Sequence, residues 1–324
     1  MGTLAAQDLI RLAFLGDSPR SKPVRDAAQR TQGLEVAVAT SDDDGLLGRV
    51  DVDAIYISLS GSLRFEWALK SLLRGKHVLL EKPALLEPGQ AEALAKAAAH
   101  SGLVVMEAVW YRYHPQVAAL RDAMRAAAVG PVRSLAVELG GGAITDILYN
   151  QADLLTHVMG IKAEDLVHVD ALADRGDAVT KVYANLKTAS GVAIGLTASV
   201  AREASNRTLI SGERGSILVP NLLAYPEAED AALLFTGAQT RLKTFRRENS
   251  YARMLEAFAD GIRGRRENLV ALEETEANLK ILRLIETASG LRLADHAVLF
   301  PYLASKARLA WRRLAADFLP FPPW

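Results

Sequence analysis

The chain contains no cysteine. That absence excludes disulfides, thiolate catalysis and zinc–thiolate sites together. Charge of one sign is also missing: 38 Lys plus Arg face 38 Asp plus Glu. A nucleic-acid binder normally carries a basic surplus, so no nucleic-acid partner is expected. No apolar run reaches the roughly 20 residues that a membrane span requires. The opening MGTLAAQDLIRLAFLGD lacks the basic start and long apolar core of a secretory signal. A cytoplasmic location, no membrane span and no metal are the expectations.

What is present suits two domains. The chain has 324 residues, and half of them are apolar, enough for a sizeable core but too many residues for one average domain. In the first part, short apolar runs alternate with helical patterns: Leu9 to Leu15, Val36 to Ala39, Ala54 to Ile57, His77 to Leu80 and Leu103 to Met106. Strands separated by helices imply βαβ units and a parallel sheet. A doubly wound domain over 1–118 follows. From about Gly130 the strand-like runs Ser134 to Glu138, Val179 to Leu186, Val192 to Val200, Leu209 to Ile210 and Ser216 to Val219 follow one another with few helices between. That pattern predicts an α+β domain over 119–295 with a mostly antiparallel sheet. Tyr251, Met254, Leu255, Phe258 and Ile262 form one helical stripe that Asn249 or Ser250 would cap.

The most informative stretch runs from Gly75 to Pro115. One strand ends abruptly at Glu81-Lys82-Pro83, and the next ends at Glu107 and leads into Trp110, Arg112 and His114. Ligands of open parallel sheets sit beyond the carboxyl ends of the strands, so this edge is where a site belongs. Pro83 removes a donor and fixes φ, turning the chain outward. A lysine held there can donate to a substrate hydroxyl oxygen, stabilise alkoxide charge and exchange a proton. The competing reading is a surface lysine at a loop start.

EKP followed by EAVWYRYHP, then GGGAITDILYNQAD, and later SGERGSILVP, resembles the glucose-fructose oxidoreductase / inositol dehydrogenase (Gfo/Idh/MocA) family over about residues 9–293. The likeness in motif leans towards members acting on dihydrodiols, xylose and related polyols. It implies an N-terminal Rossmann-type domain, an open-faced second sheet suited to a homodimer or homotetramer, and an NAD- or NADP-dependent dehydrogenase of sugars, cyclitols or other polyols. Carried onto this chain, Lys82, Asp146, Tyr149 and Asn150 form the catalytic set. Glu81, Lys82, Pro83 and Arg112 lie on the cofactor side, and Trp110, His114 and Asp153 on the substrate side.

Each assignment has an alternative. Asp146 follows Gly140, Gly141 and Gly142 and equally suits a helix N-cap. Four positions on, where the family carries His or Tyr for proton transfer, stands Asn150, which does not titrate. Tyr149 is one residue, about 100° of helix rotation, away from that direction. Asp153 matches the family, and a structural or supporting role is the favoured reading over a substrate neighbour. Trp110, Tyr111 and Arg112 suit a packed domain junction as well as a nicotinamide site.

The phosphate loop departs further. G-x-G-x-x-G is reduced to Gly16-Asp17-Ser18-Pro19-Arg20-Ser21, with Arg20, Ser21 and Lys22 as compensating donors. Thr40 and Ser41 replace the ribose-binding acid, which leaves NAD against NADP open, and Ser60 and Arg64 occupy the turn where the family has T-P-N-x-x-H. These departures cluster on the cofactor side and keep a second reading open: a binding or regulatory protein with weakened or absent catalysis. The remaining 296–324 reads as a helical extension, with Leu303, Ala307, Ala310, Leu314 and Phe318 as a stripe that docks on protein or lies on a membrane surface.

Overall fold

The computed structural model describes residues 9–40, 44–59, 61–84, 89–175, 178–201, 206–223, 231–265 and 270–291. Among these the chain forms two compact units, one of 9–108 with 255–273, the other of 109–254 with 274–291.

The first unit is a five-stranded parallel sheet of order β2-β1-β3-β4-β5. Its strands are β1 (Ile10–Leu15), β2 (Leu34–Thr40), β3 (Ala54–Ile57), β4 (His77–Leu80) and β5 (Val105–Glu107). Helices α1 (Ser21–Ala28), α2 (Asp44–Leu47), α3 (Gly61–Leu73) and α4 (Gln90–Ser101) connect them. Leu12, Ala13, Phe14 and Leu15 of β1 and all four residues of β3 are fully shielded from water. Strands buried on both faces read as unbroken apolar runs, which is why β1, β3 and β4 were legible as such. Pro23 falls in the first turn of α1, where a missing N–H costs little. The doubly wound expectation for this region holds.

In the second unit, η-type turns over Trp110–Tyr113 lead into α5 (Pro115–Arg125), β6 (Val132–Gly140) and α6 (Ile144–Asp153). The strands β7 (Leu166–Arg175), β8 (Val179–Thr188), β9 (Ala193–Ser199), β10 (Arg207–Gly212), β11 (Gly215–Val219), β12 (Ala231–Thr236) and β13 (Arg241–Phe245) complete an eight-stranded sheet of order β13-β12-β11-β10-β6-β9-β8-β7. All its pairings are antiparallel except β6 with β9. Val182, Ala184 and Leu186 of β8 are buried while Tyr183, Asn185 and Lys187 between them are exposed. Helix α6 packs on β6, β8 and β9. The alternation therefore marks one covered face and one open face. Leu172 and Tyr183, which pair directly, lie on the open side. Strands β7, β12 and β13 were not anticipated. All five residues of β13 but Phe245 are exposed, so no apolar periodicity announces that strand.

Helices α7 (Ser250–Ile262) and α8 (Leu272–Ser289) close the described chain. Met254, Leu255 and Phe258 of the anticipated stripe are fully buried. The Asn249 side-chain oxygen accepts from Ala252 N at 3.0 Å, so Asn249 is the cap. The helical extension over 296–324, as well as Ser41 and Ser60, lies outside the described residues.

Candidate active site

The carboxyl edge of the parallel sheet is stitched together by side chains. Strand β1 ends at Gly16, whose φ of +94° belongs to glycine; a Cβ there would meet Ser58 Oγ at 3.0 Å and Leu59 N at 3.1 Å. Ser58 Oγ in turn donates to Gly16 O at 3.1 Å. The tight turn of a dinucleotide fold is thus kept on its first glycine alone.

Strand β4 discharges Glu81 and Lys82, which are 5% and 6% exposed. The Tyr56 hydroxyl donates to one Glu81 oxygen, and the other accepts from Lys82 N at 3.1 Å. The Lys82–Pro83 peptide is cis. Glu107, at the end of β5 and fully buried, accepts from Ala84 N at 2.7 Å. Arg20 Nη1 donates to Lys82 O at 3.3 Å. Arg64 donates from Nε to Leu59 O at 2.7 Å and from Nη1 to Pro83 O. Yet the ammonium of Lys82 makes no hydrogen bond or ion pair among the described residues. A nearly buried cation with no partner is costly to keep, and one at a strand's carboxyl end is placed to meet a ligand.

The phosphate loop shows how its substitutions are accommodated. Ser21 donates from Oγ to Ser18 O at 2.7 Å, closing the turn into α1. Asp17 is exposed and leans toward Arg25 at 3.8 Å, and Lys22 pairs with Asp26 at 2.7 Å. Ser18 Oγ, in place of the second glycine, is buried without a partner. An orphaned hydroxyl beside a helix N-terminus fits a pyrophosphate acceptor. The residues present therefore suit a dinucleotide: Gly16 for the turn, Ser18 and Arg20 for the phosphates. Thr40 ends β2 as its backbone position requires.

The second unit holds the other sequence candidates. Asp146 lies in the first turn of α6 and is half-buried, but the N-cap is Ala143, so the capping alternative for Asp146 is corrected. The carboxylate still complements the helix dipole there. Asn150, one turn further on the same face, is 6% exposed, and its Oδ1 is buried with no partner. Tyr149 is fully buried, and its hydroxyl accepts from Asn278 Nδ2 at 3.2 Å.

That bond belongs to a network the sequence did not reveal. Asn278 Nδ2 also donates to Asp153 Oδ1 at 2.8 Å, and its Oδ1 accepts from Thr156 Oγ1 at 2.5 Å. Asp153 further accepts from the Tyr111 hydroxyl and from Arg112, whose Nε lies 3.1 and 3.0 Å from the two carboxylate oxygens. Arg112 Nη1 reaches Glu274 at 2.5 Å, and His157 Nδ1 stands 3.5 Å from the same carboxylate. Burial alone would push Asp153 up, but the charge and hydrogen bonds of Arg112 hold it below the usual carboxylate range. Glu274 is likewise lowered, by His157 and Arg112 against the effect of burial. Arg112 and Asp153 were expected to face cofactor and substrate; the structure instead spends their polar heads on each other, on Glu274 for the arginine and on Tyr111 and Asn278 for the carboxylate. Helix α6 passes at Asp153 into a π-helical turn over Leu154–Val158, a widening that delivers Thr156 and His157 to this network.

His114 caps α5: its Nδ1 accepts from Gln116 N at 3.1 Å. Burial lowers its pKa, with Glu248 pulling the other way and Arg253 adding to the fall. Trp110 stacks on Tyr251 with ring centroids 5.0 Å apart. Asn278, Glu274 and Tyr56 were missed because nothing in their local sequence marks them.

Comparison with known proteins agrees with this geometry. Residues 11–109 match the Gfo/Idh/MocA family profile, described as an oxidoreductase family with an NAD-binding Rossmann fold. The chain is 29% identical over 235 residues to a dTDP-3,4-didehydro-2,6-dideoxy-alpha-D-glucose 3-reductase of Actinomadura kijaniata, covering 67% of this chain and 70% of that one. It is 28% identical to a trans-1,2-dihydrobenzene-1,2-diol dehydrogenase of Xenopus laevis, covering 59% of this chain and 61% of the relative. Among solved structures, KijD10, a 3-ketoreductase from Actinomadura kijaniata in complex with NADP and TDP-benzene, superposes with a TM-score of 0.77 at 23% identity over 87% of this chain and 98% of that one, a likeness of fold. Over residues 11–109 the chain is similar to the Gfo/Idh/MocA oxidoreductases, and it is an enzyme that takes NAD(P).

Proposed function

We propose that this enzyme interconverts a carbonyl and a carbinol on a sugar or related polyol, with residues 1–118 serving the cofactor and 119–295 the substrate. The observation that carries the reading is Lys82: a cation 6% exposed, its backbone N and O both held by side chains, with its ammonium unpartnered among the described residues. A bound NAD(P)H would supply the hydride for this chemistry. Lys82 donates to the carbonyl oxygen, stabilises the charge that develops there and delivers the proton that completes the alcohol; solvent reprotonates it. In oxidation the same proton returns.

Asp146 and Asn150 orient substrate hydroxyls. An Asn amide both accepts and donates, so Asn150 binds a hydroxyl without exchanging a proton. Tyr149 supports α6 from inside through Asn278 rather than reacting. Arg112 and Asp153 serve the site by locking the segment that carries Trp110 and His114 to α6. On the cofactor side, Gly16, Ser18, Arg20 and Ser21 form the phosphate turn, and Glu81 and Pro83 shape the chain around Lys82. A keto-sugar substrate is supported by the named activity of the Actinomadura relative. A cyclic diol is supported by that of the Xenopus relative. Assembly as a homodimer or homotetramer accords with the open sheet face.

The test begins with calorimetric titration of NADH and NADPH, followed by reduction of a panel of free and nucleotide-linked keto-sugars and oxidation of cyclic diols. A micromolar Kd and turnover are expected, with Lys82→Met losing about 10²–10⁴-fold in kcat while keeping the cofactor. Undiminished turnover in Lys82→Met overturns the reading.

A further inference from the structure

We infer that Arg64 is a positioning residue for Lys82, an inference that rests on the role just proposed for that lysine. Arg64 lies three residues into α3 and is 6% exposed, although arginine is seldom buried without a task. Its planar guanidinium has a fixed fork of donors. One arm holds Leu59 O at 2.7 Å, where the chain leaves β3, and another holds Pro83 O, directly after Lys82.

The surrounding bonds show what this bridge completes. Residues 82–84 present five backbone polar groups, since Pro83 has no N–H, and side chains hold four of them. Lys82 N donates to Glu81, Lys82 O accepts from Arg20, Pro83 O accepts from Arg64, and Ala84 N donates to Glu107. Side chains from four different places thus grip the backbone of this short segment, while the ammonium makes no bond among the described residues. Glu81 is itself held by Tyr56, and Glu107 ends the neighbouring strand. Arg64 ties the segment to the exit of β3 by holding two carbonyls at once. A lysine at 64 would keep the charge but lacks the planar fork that spans two carbonyls. Small errors of placement are expensive in catalysis, on the order of 10²-fold for about 1 Å.

Arg64 acts through the backbone and touches neither reacting atom, so its loss must appear in kcat rather than in binding. The experiment compares the full-length wild type with Arg64→Lys, Arg64→Ala and Lys82→Met. Each is measured for Tm, for NADPH Kd by calorimetry, and for kcat and KM on the carbonyl compound that the wild type reduces. Arg64→Lys is expected to keep Kd and KM within about threefold while kcat falls roughly 10–100-fold. Free guanidinium ion is expected to restore part of the kcat of Arg64→Ala. An unchanged kcat in Arg64→Lys, with Lys82→Met inactive, overturns the inference. So does a loss in Arg64→Lys that is shared equally by Kd and Tm, since that describes a fold support only. A fully active Lys82→Met instead overturns the role of the lysine and leaves the two failures distinguishable. Should Arg64→Ala not fold, the Arg64→Lys split alone decides.

Discussion

Arg112 and Asp153 form a buried ion pair, with Nε of the arginine 3.1 and 3.0 Å from the two carboxylate oxygens and both side chains almost wholly removed from water. Such a pair repays its desolvation only when the remaining donors and acceptors are satisfied. Here Tyr111, Asn278 and Glu274 satisfy them. The pair joins the segment just after β5 to the C-terminal end of the helix that carries Asp146 and Asn150.

Breaking it from one side strands a charge. Asp153→Ala is expected to cost about 3–5 kcal/mol, because Arg112 keeps its burial and loses its principal counter-charge. Arg112→Met combined with Asp153→Leu should cost less than the sum of the single changes. Urea denaturation of the two single variants and the double variant, as a double-mutant cycle, measures the coupling.

Asn150 carries a sharper kinetic prediction. Its buried Oδ1 has no protein partner, so Asn150→Ala should leave Tm nearly unchanged and lower kcat/KM by about tenfold, the worth of roughly one hydrogen bond to substrate. Asn150→His should add an ionisation near pH 6.5 to the pH profile that the wild type lacks. A wild-type profile already carrying an ionisation that Asn150→Ala removes would sink the assignment.

The histidines tie stability to pH. Burial lowers His114 and His77 below their usual value of 6.5. Both accept a hydrogen bond at Nδ1, from Gln116 N and Val104 N. A depressed folded pKa means that the unfolded chain binds protons first as pH falls. Their contribution is therefore complete above about pH 6.5 and is lost on acidification through the lower folded values. The urea midpoint should drop between pH 7 and 5, and His114→Asn, which keeps a capping acceptor, should flatten part of that drop. At more acid pH, below about 4, Asp153 and Glu274 should add a second, steeper loss, since both carboxylates are held low in the folded state.

Gly16→Ala tests the retained turn. With φ at +94° and Ser58 Oγ 3.0 Å from the new carbon, the substitution should cost on the order of 1–3 kcal/mol. It should also weaken NADPH binding, because the turn must move away from Ser58 to accommodate the methyl group. Calorimetry on the variant, at a temperature where it is folded, separates the two effects.

Much of the first unit was legible because its strands are short, apolar and buried on both faces. β3 and β4 match their apolar runs residue for residue. The motif EKP marked the end of β4, since proline stops a strand wherever it stands. Asn249 was legible as a cap because capping is decided within three residues. By contrast, β13 and β7 escaped notice: the edge strand RLKTF is exposed nearly throughout, and the larger apolar residues Val167 and Leu172 of β7 are exposed. Their strand character comes from hydrogen bonds to neighbours distant in sequence.

The division of labour among the candidate residues follows the same line. Residue types set the available chemistry: a lysine that can exchange a proton, an asparagine at position 150 that cannot, and a glycine at 16 that alone permits its turn. Those facts hold wherever the side chains point. Only the tertiary structure decided that Arg112 and Asp153 spend themselves on each other, that Tyr149 faces inward to Asn278, and that the Lys82 ammonium has no partner among the described residues while the backbone of 82–84 is gripped by Arg20, Arg64 and Glu107. Partnership between groups 20 to 130 positions apart depends on which strands and helices become neighbours, and burial then determines which charges must find a partner and which is left for a ligand.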